Sequence, residues 1–404
     1  MREDETIALY GGTPVRERKI FYGKQFIDAA DIEAVLAVLK SEYLTQGPQI
    51  KNLEDMLCRM FSARYAISTM NGTSALHLAC IAAGITNGDE AITTPLTFAA
   101  SANCVRYCGG TVVFADICKD SYTIDPLSVE KKITERTKAV IAVDYAGIPC
   151  RLQELKEICE RHNLVLIEDA AHSLGSVYSG RPVGSIADIT AFSFHPVKTI
   201  TGGEGGAVLT NNKQYADVMR LVANHGITKD KVHYLYEDNA EETWYCEQIL
   251  LGYNYRMTDM QAALIISQAN KLAYFKQRRK EIVAAYNDAF LTLQGLIIPE
   301  EKEYADICWD LYVLRIDELL LKCSRNEFFR ALSAENIQPQ VHYVPVHLHP
   351  YYRQLGHSDG ECPIAEDICS SILSLPLYPS MTDADVSDVI TAVRKIHKFY
   401  FGRR

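Results

Sequence analysis

Between about residue 65 and residue 225, short apolar runs alternate with longer stretches of helical period. YAIST (65–69), EAITT (90–94), TVVFADI (111–117), AVIAVDYAG (139–147), LVLIEDAA (164–171), ITAFSF (189–194) and GAVLTN (206–211) are strand-length. TSALHLACIAAG, LTFAASANCVRYC, LSVEKKITER, LQELKEICERHN and KQYADVMRLVANHG carry the apolar spacing and the glycine or asparagine stops of helices. Such alternation predicts an α/β architecture with a mostly parallel sheet covered by helices on both faces, and places ligands at the carboxyl ends of its strands. After a helix-rich stretch from about 258 to 295 the pattern changes to GLIIP, LYVLRI, the helix RNEFFRALSAEN, then QPQVHYVPVH and a terminal helix. We therefore expect a large domain over residues 1–270 and a smaller C-terminal α+β domain over 271–404. The hydrophilic stretch YEDNAEETWYCEQ (236–248) is read as an excursion within the large domain.

Composition narrows the function classes. The chain has 404 residues and a formal charge of −10 with no basic stripe, which argues against nucleic acid and anionic membrane as partners. Its twelve cysteines are scattered, with no CxxC pair and no apolar signal segment, so a reduced cytoplasmic protein is expected. No stretch approaches the roughly 20 apolar residues of a membrane span. Three histidines in HYVPVHLHP (342–350) lack supporting carboxylates or cysteines at ligand spacing, so no metal is expected there. Cys104 and Cys108 are read as small buried hydrophobes, and the charge run KQRRKE (276–281) as a solvated helix face.

Against this background one lysine stands out. Lys198 lies between the aromatic strand ITAFSF and the glycine-rich GGEGG at 202–206, which lacks the spacing of a dinucleotide or P-loop motif. The strand LVLIED delivers Glu168 and Asp169 to a sheet edge, with His172 just beyond, and Asp169 can either cap the following turn or face a bound ring. STMNGTSALHL reads as strand, polar turn and helix start. Asn71 or Thr73 can cap that helix, and the amides of Gly72, Thr73 and Ser74 can hold a phosphate. Together, a lysine, a carboxylate and an anion-binding helix start meet the needs of pyridoxal phosphate: an amine to attach to its aldehyde, a counter-charge for its ring nitrogen, and donors for its phosphate.

With those residues in view, the run GRPVGSIADITAFSFHPVKTITGGEGG, together with NGTSALHLA, IEDAAHSLGS, NHGI and LGYNYRMTDMQAAL, resembles the DegT/DnrJ/EryC1/StrS family of nucleotide-sugar aminotransferases. The resemblance implies the aspartate-aminotransferase fold (fold type I), pyridoxal 5'-phosphate as cofactor, a homodimer with composite active sites, and amino transfer from glutamate to a keto sugar. The segments IFYGKQFIDAADIEAVLAVLKSEYLTQGP, VDYAGIPC and VHYVPVHLHPYY are most similar to the pseudaminic-acid branch, which aminates C4 of a UDP-linked 4-keto-6-deoxy-N-acetylhexosamine.

Carried over residue by residue, the resemblance makes Lys198 the attachment lysine and Asp169 the partner of the ring nitrogen. It implies Phe98 on one ring face, Ala171 on the other and His172 near the ring hydroxyl. Gly72, Thr73 and Ser193 would contact the phosphate, with Asn254 donated by the other subunit. Tyr22, Thr45, Gln46, His342 and Tyr343 would contact the UDP-sugar. Sugar 3-dehydratases of the same family have histidine where this chain has Lys198, which argues against that activity. A non-enzymatic cofactor-binding regulator would call for a DNA-binding extension or broken substrate motifs, and the sequence has neither. A lysine aldolase without cofactor would leave Asp169 and the phosphate turn without a purpose.

Overall fold

The computed structural model describes residues 6–236 and 240–402. Seven strands form the central sheet: β1 (Tyr65–Thr69), β2 (Glu90–Thr93), β3 (Thr111–Phe114), β4 (Thr137–Val143), β5 (Val165–Asp169), β6 (Ile189–Ser193) and β7 (Gly206–Thr210). All seven apolar runs are therefore strands, in the order β1-β7-β6-β5-β4-β2-β3. β2 to β6 pair in parallel, whereas β7 runs antiparallel to both of its neighbours. The connection from β6 to β7 contains no helix and returns the chain antiparallel beside β6, whereas the connection from β5 to β6, also without a helix, brings its strand back in parallel. Inner strands such as β7 are buried at every position because helices cover both faces, so these sequences are continuously apolar rather than alternating.

Register decides what meets at the sheet edge. Asp169 at the end of β5 lies opposite Val143 of β4 and Ala191 of β6, and Gly206 at the start of β7 lies opposite both Ser193 and Thr69. The ends that carry Asp169, Ser193 and the turn after Thr69 thus share one rim.

A second core forms around the antiparallel strands β8 (Leu296–Ile297), β9 (Tyr312–Ile316) and β10 (Ile372–Leu375) and the helices Leu272–Phe290, Arg325–Ala334 and Asp383–Phe401. Ile7 and Ile20, near the start of the chain, are buried in this core. β10 follows directly on the helix Pro363–Ser371 and is too short to announce itself as a strand. In the stretch QPQVHYVPVH, Gln338 pairs as the end of Ile337–Gln338 with Ile20–Phe21, Gln340 bridges Ser374, and the remainder is mostly irregular. Within the hydrophilic stretch at 236–248, residues 237–239 lie outside the described residues; Glu247–Gln248 pairs with Ile227–Thr228. The reading of 276–281 as a solvated face needs correction. Arg279 is 1% exposed and donates to the carbonyls of Trp309, Asp310 and Leu377, because its long side chain satisfies three inward-facing acceptors at once. Cys104 is fully buried, whereas Cys108 is only partly so. No helix among the described residues is long and apolar enough to cross a membrane.

Candidate active site

Asp169 ends β5 with its carboxylate almost wholly enclosed. Oδ2 accepts from the Ser101 hydroxyl at 2.7 Å and Oδ1 from the Ala171 amide at 3.2 Å. Burial pushes this carboxyl up from its ordinary range, while the Ser101 and Ala171 hydrogen bonds and the charge of Lys198 pull it back. Asp169 therefore both braces the turn that follows and faces the cavity.

The turn after β1 has the same double character. Asn71 caps the helix Gly72–Ala82 through a reciprocal box, its side chain accepting from the Ser74 amide at 2.8 Å while Ser74 Oγ accepts from the Asn71 amide at 3.2 Å. That arrangement leaves the amides of Gly72 and Thr73 with no partner among the described residues. A Cβ on Gly72 would come within 2.9 Å of Ser193 Cβ, so a larger residue would close the cradle between this helix start and β6. Gly206 is needed for a different approach: a Cβ there would lie 2.4 Å from the Asn71 carbonyl oxygen. One of the glycines after Lys198 thus lets β7 pass beneath the anion-binding turn.

Lys198 lies in a turn whose amide donates to the His195 carbonyl at 2.9 Å. Its side chain is only 14% exposed, and Nζ is 3.8 Å from Asp310 Oδ2. Burial pushes the ammonium pKa down, the carboxylates of Asp310 and Asp169 hold it up, and the Arg279 charge lowers it further. Residues remote in sequence complete the wall. The Ala146 amide donates to His172 Nδ1 at 3.3 Å, which places the imidazole proton on Nε2, 3.0 Å from the Tyr343 hydroxyl. Burial holds His172 well below the usual histidine range, so the ring is neutral at physiological pH. Burial also pushes His342 down, to about 3; its Nδ1 lies 2.8 Å from Ser374 Oγ and its ring 5.0 Å from that of Tyr22. His347 points elsewhere, to Glu366 at 2.9 Å. Phe98 is 61% exposed despite its aromatic bulk, and its ring stands 6.2 Å from that of Tyr343.

These groups enclose one cavity of about 630 Å³. Lys198, Asp169, Gly72, Thr73, Phe98, Ala171, His172, Ser193, Tyr22, His342 and Tyr343 all line it. Thr45, Gln46 and Asn254 do not: each is exposed and outside the cavity wall. They are nevertheless tied to one segment, since Thr45 bridges Thr258, Asn254 bridges Asn224, and the buried Asp259 carboxylate holds the amides of Gly47 and Gln49 at 2.8 and 2.9 Å. Sequence reasoning missed Ser101, Asp310 and Arg279. A serine in an apolar helix, an aspartate beside a strand and an arginine in a charge run carry no local sign of convergence. It also missed the buried pair behind Asp169, where burial pushes Asp144 up to about 6 and Glu168 well up.

The residues present suit pyridoxal phosphate: a buried amine, a carboxylate at a strand end, and a glycine-gated cradle with two unpartnered amides. The profile of the DegT/DnrJ/EryC1/StrS aminotransferase family matches residues 25–394. The spore coat polysaccharide biosynthesis protein SpsC of Bacillus subtilis is 40% identical over 388 residues, 95% of this chain and 99% of that protein. A Streptococcus pneumoniae protein named as a sugar aminotransferase, solved in its PLP form, superimposes with a TM-score of 0.86 at 29% identity, covering 94% of this chain and 99% of that one. Helicobacter pylori PseC, an aminotransferase of pseudaminic acid biosynthesis, gives 0.87 at 32%, covering 94% and 100%. Other solved structures reach the same TM-score, so similarity alone does not single out the pseudaminic-acid branch. The chain belongs to the DegT/DnrJ/EryC1/StrS aminotransferase family and is a pyridoxal-phosphate-dependent aminotransferase of fold type I.

Proposed function

We propose that this enzyme moves an amino group from glutamate to C4 of a UDP-linked 4-keto-6-deoxy-N-acetylhexosamine, acting as a UDP-4-amino-4,6-dideoxy-N-acetyl-β-L-altrosamine transaminase in pseudaminic acid biosynthesis. The observation that carries the reading is the convergence of Lys198, Asp169 and the free amides of Gly72 and Thr73 on one cavity. Pyridoxal phosphate, when bound, supplies the electron sink for amino transfer. Asp169 would face the ring nitrogen and hold its proton, and Gly72, Thr73 and Ser193 would hold the phosphate. Phe98 and Ala171 would flank the ring, with His172 beside its hydroxyl. Lys198, whose ammonium is destabilised by burial, carries the proton away from the donor's α-carbon and returns a proton at C4 of the sugar. Tyr22, His342 and Tyr343 line the approach for the sugar.

The homodimer belongs to the same proposal. Thr45, Gln46 and Asn254 lie on exposed surface together with the large apolar residues Tyr43, Leu44, Met70 and Leu251, a combination suited to a subunit interface. Across a two-fold axis, Asn254 would serve the phosphate of the partner subunit's site, and Thr45 and Gln46 its sugar. Another nucleotide-linked keto sugar is the alternative substrate, favoured by the equal similarity of several solved relatives. Incubation with glutamate and a panel of UDP- and dTDP-linked keto sugars, with products identified by NMR, decides between them. Turnover of the UDP-4-keto-6-deoxy-N-acetylhexosamine to its 4-amine is the expected result, and preference for another member of the panel refutes the assignment.

A further inference from the structure

Asp310 lies two residues before β9, 112 positions along the chain from Lys198, and its backbone is pinned on both sides. Its amide donates to the Ala146 carbonyl at 3.0 Å, and its own carbonyl accepts from Arg279 Nη1 at 3.1 Å. The side chain is 3% exposed; Oδ2 lies 3.8 Å from Lys198 Nζ and 3.9 Å from His172 Nε2, and Oδ1 has no hydrogen-bond partner among the described residues. A buried carboxylate without close hydrogen bonds is destabilising unless a cation stays near it. Besides Asp310, the charges of Asp169 and Arg279 act on Lys198 among the described residues, and the charge of Lys198 acts on His172 and His342. Both histidines are neutral, and Arg279 adds repulsion, which leaves two carboxylates to balance the lysine.

On the functional reading above, Asp169 is committed to the ring nitrogen once the cofactor is in place. We infer that Asp310 is a positioning residue for Lys198, the counter-charge that holds the lysine nitrogen in the site whenever it is cationic and free. Its separation from Nζ is the outer limit of an ion pair, so it can retain the lysine without locking it. The pinned backbone keeps the carboxylate from following the lysine as it moves. Tyr22 and Tyr343 also face the Asp310 charge, which contributes to raising both phenols and keeping them protonated.

The test reads Lys198 without catalysis. Full-length protein freed of cofactor is labelled with an amine-selective reagent from pH 6 to 11, and the rate at the Lys198 peptide is followed by mass spectrometry. Loss of an opposite charge at this distance lowers the lysine's affinity for its proton, so Asp310→Asn should be labelled about tenfold faster at neutral pH. It should match the native protein on the alkaline plateau, where access alone sets the rate. Asp310→Glu should restore most of the native profile. Superimposable pH profiles overturn the proposal, as does failure of both Asp310→Asn and Asp310→Ser to fold, which would make Asp310 a structural residue. Borohydride fixation of pyridoxyl at a lysine other than Lys198 would instead refute the underlying assignment of the attachment lysine.

Discussion

The Ser101 hydroxyl donates to Asp169 Oδ2 at 2.7 Å and meets the Thr97 hydroxyl, also at 2.7 Å. Ser101 has one proton, and the anionic carboxylate takes it, so Thr97 must be the donor in the second contact. This short relay draws down a carboxyl that burial otherwise pushes up, and keeps it able to balance a positive ring. Ser101→Ala should reduce kcat about tenfold, the scale of one hydrogen bond to a charged group. Asp169→Asn should lose more than about a hundredfold while keeping cofactor bound through its phosphate. Steady-state rates beside the bound-cofactor absorbance measure both; near-native turnover in Asp169→Asn would mean that the ring is oriented differently.

Cofactor attachment has a direct chemical readout. Purified protein should be yellow, and borohydride should fix pyridoxyl to the peptide containing Lys198. Lys198→Ala should abolish transamination with its circular dichroism unchanged.

Composite sites predict rescue between two dead variants. Lys198→Ala and Asn254→Trp chains are mixed under conditions that exchange subunits, and activity is followed. The bulky replacement is required because loss of one hydrogen bond to a charged phosphate is worth only about 1.5 to 3 kcal/mol and would leave that parent partly active. A mixed dimer then has one site with both lesions and one with neither, so activity returns. Persistent inactivity after proven exchange would place Asn254 in its own subunit's site.

Acid should weaken the fold partly through His342. Its folded pKa of about 3 lies below its ordinary 6.5, so its stabilising contribution is complete above pH 6.5 and is lost as pH falls toward 3. Over that window the unfolded chain takes up a proton that the folded chain refuses, at up to about 1.4 kcal/mol per pH unit. In cofactor-free protein, His342→Gln should flatten the dependence of unfolding free energy on pH between 6.5 and 3. An unchanged slope in urea titrations would show that the folded protein binds this proton as readily as the unfolded chain.

Arg279 should behave as a core residue despite its charged neighbours. Arg279→Ala strips three buried carbonyls of their donor and should destabilise the protein by about 3 kcal/mol or more, with a lowered thermal midpoint. Arg278→Ala, at a partly buried position paired with the exposed Asp383, is the comparison and should change stability by about 1 kcal/mol or less.

Sequence by itself determined the elements whose cause is local. Short apolar runs marked all seven strands of the large sheet, and the polar turn with Asn71 or Thr73 as cap marked the start of the helix that follows β1. Lys198, Asp169 and the Gly72–Thr73 turn were legible because each sits at the end of such an element, where α/β folds place ligands. Tertiary structure decided everything that depends on packing between distant segments. It turned β7 antiparallel, hid Arg279 inside a charge run, brought Ser101 to Asp169 and set Asp310 against Lys198. None of those pairings has a periodicity to betray it, since burial and charge balance are set by neighbours tens to hundreds of residues away. Thr45, Gln46 and Asn254 go one level further. They face outward in the single chain, and on the proposed dimer they would reach a site only where surfaces of two chains meet.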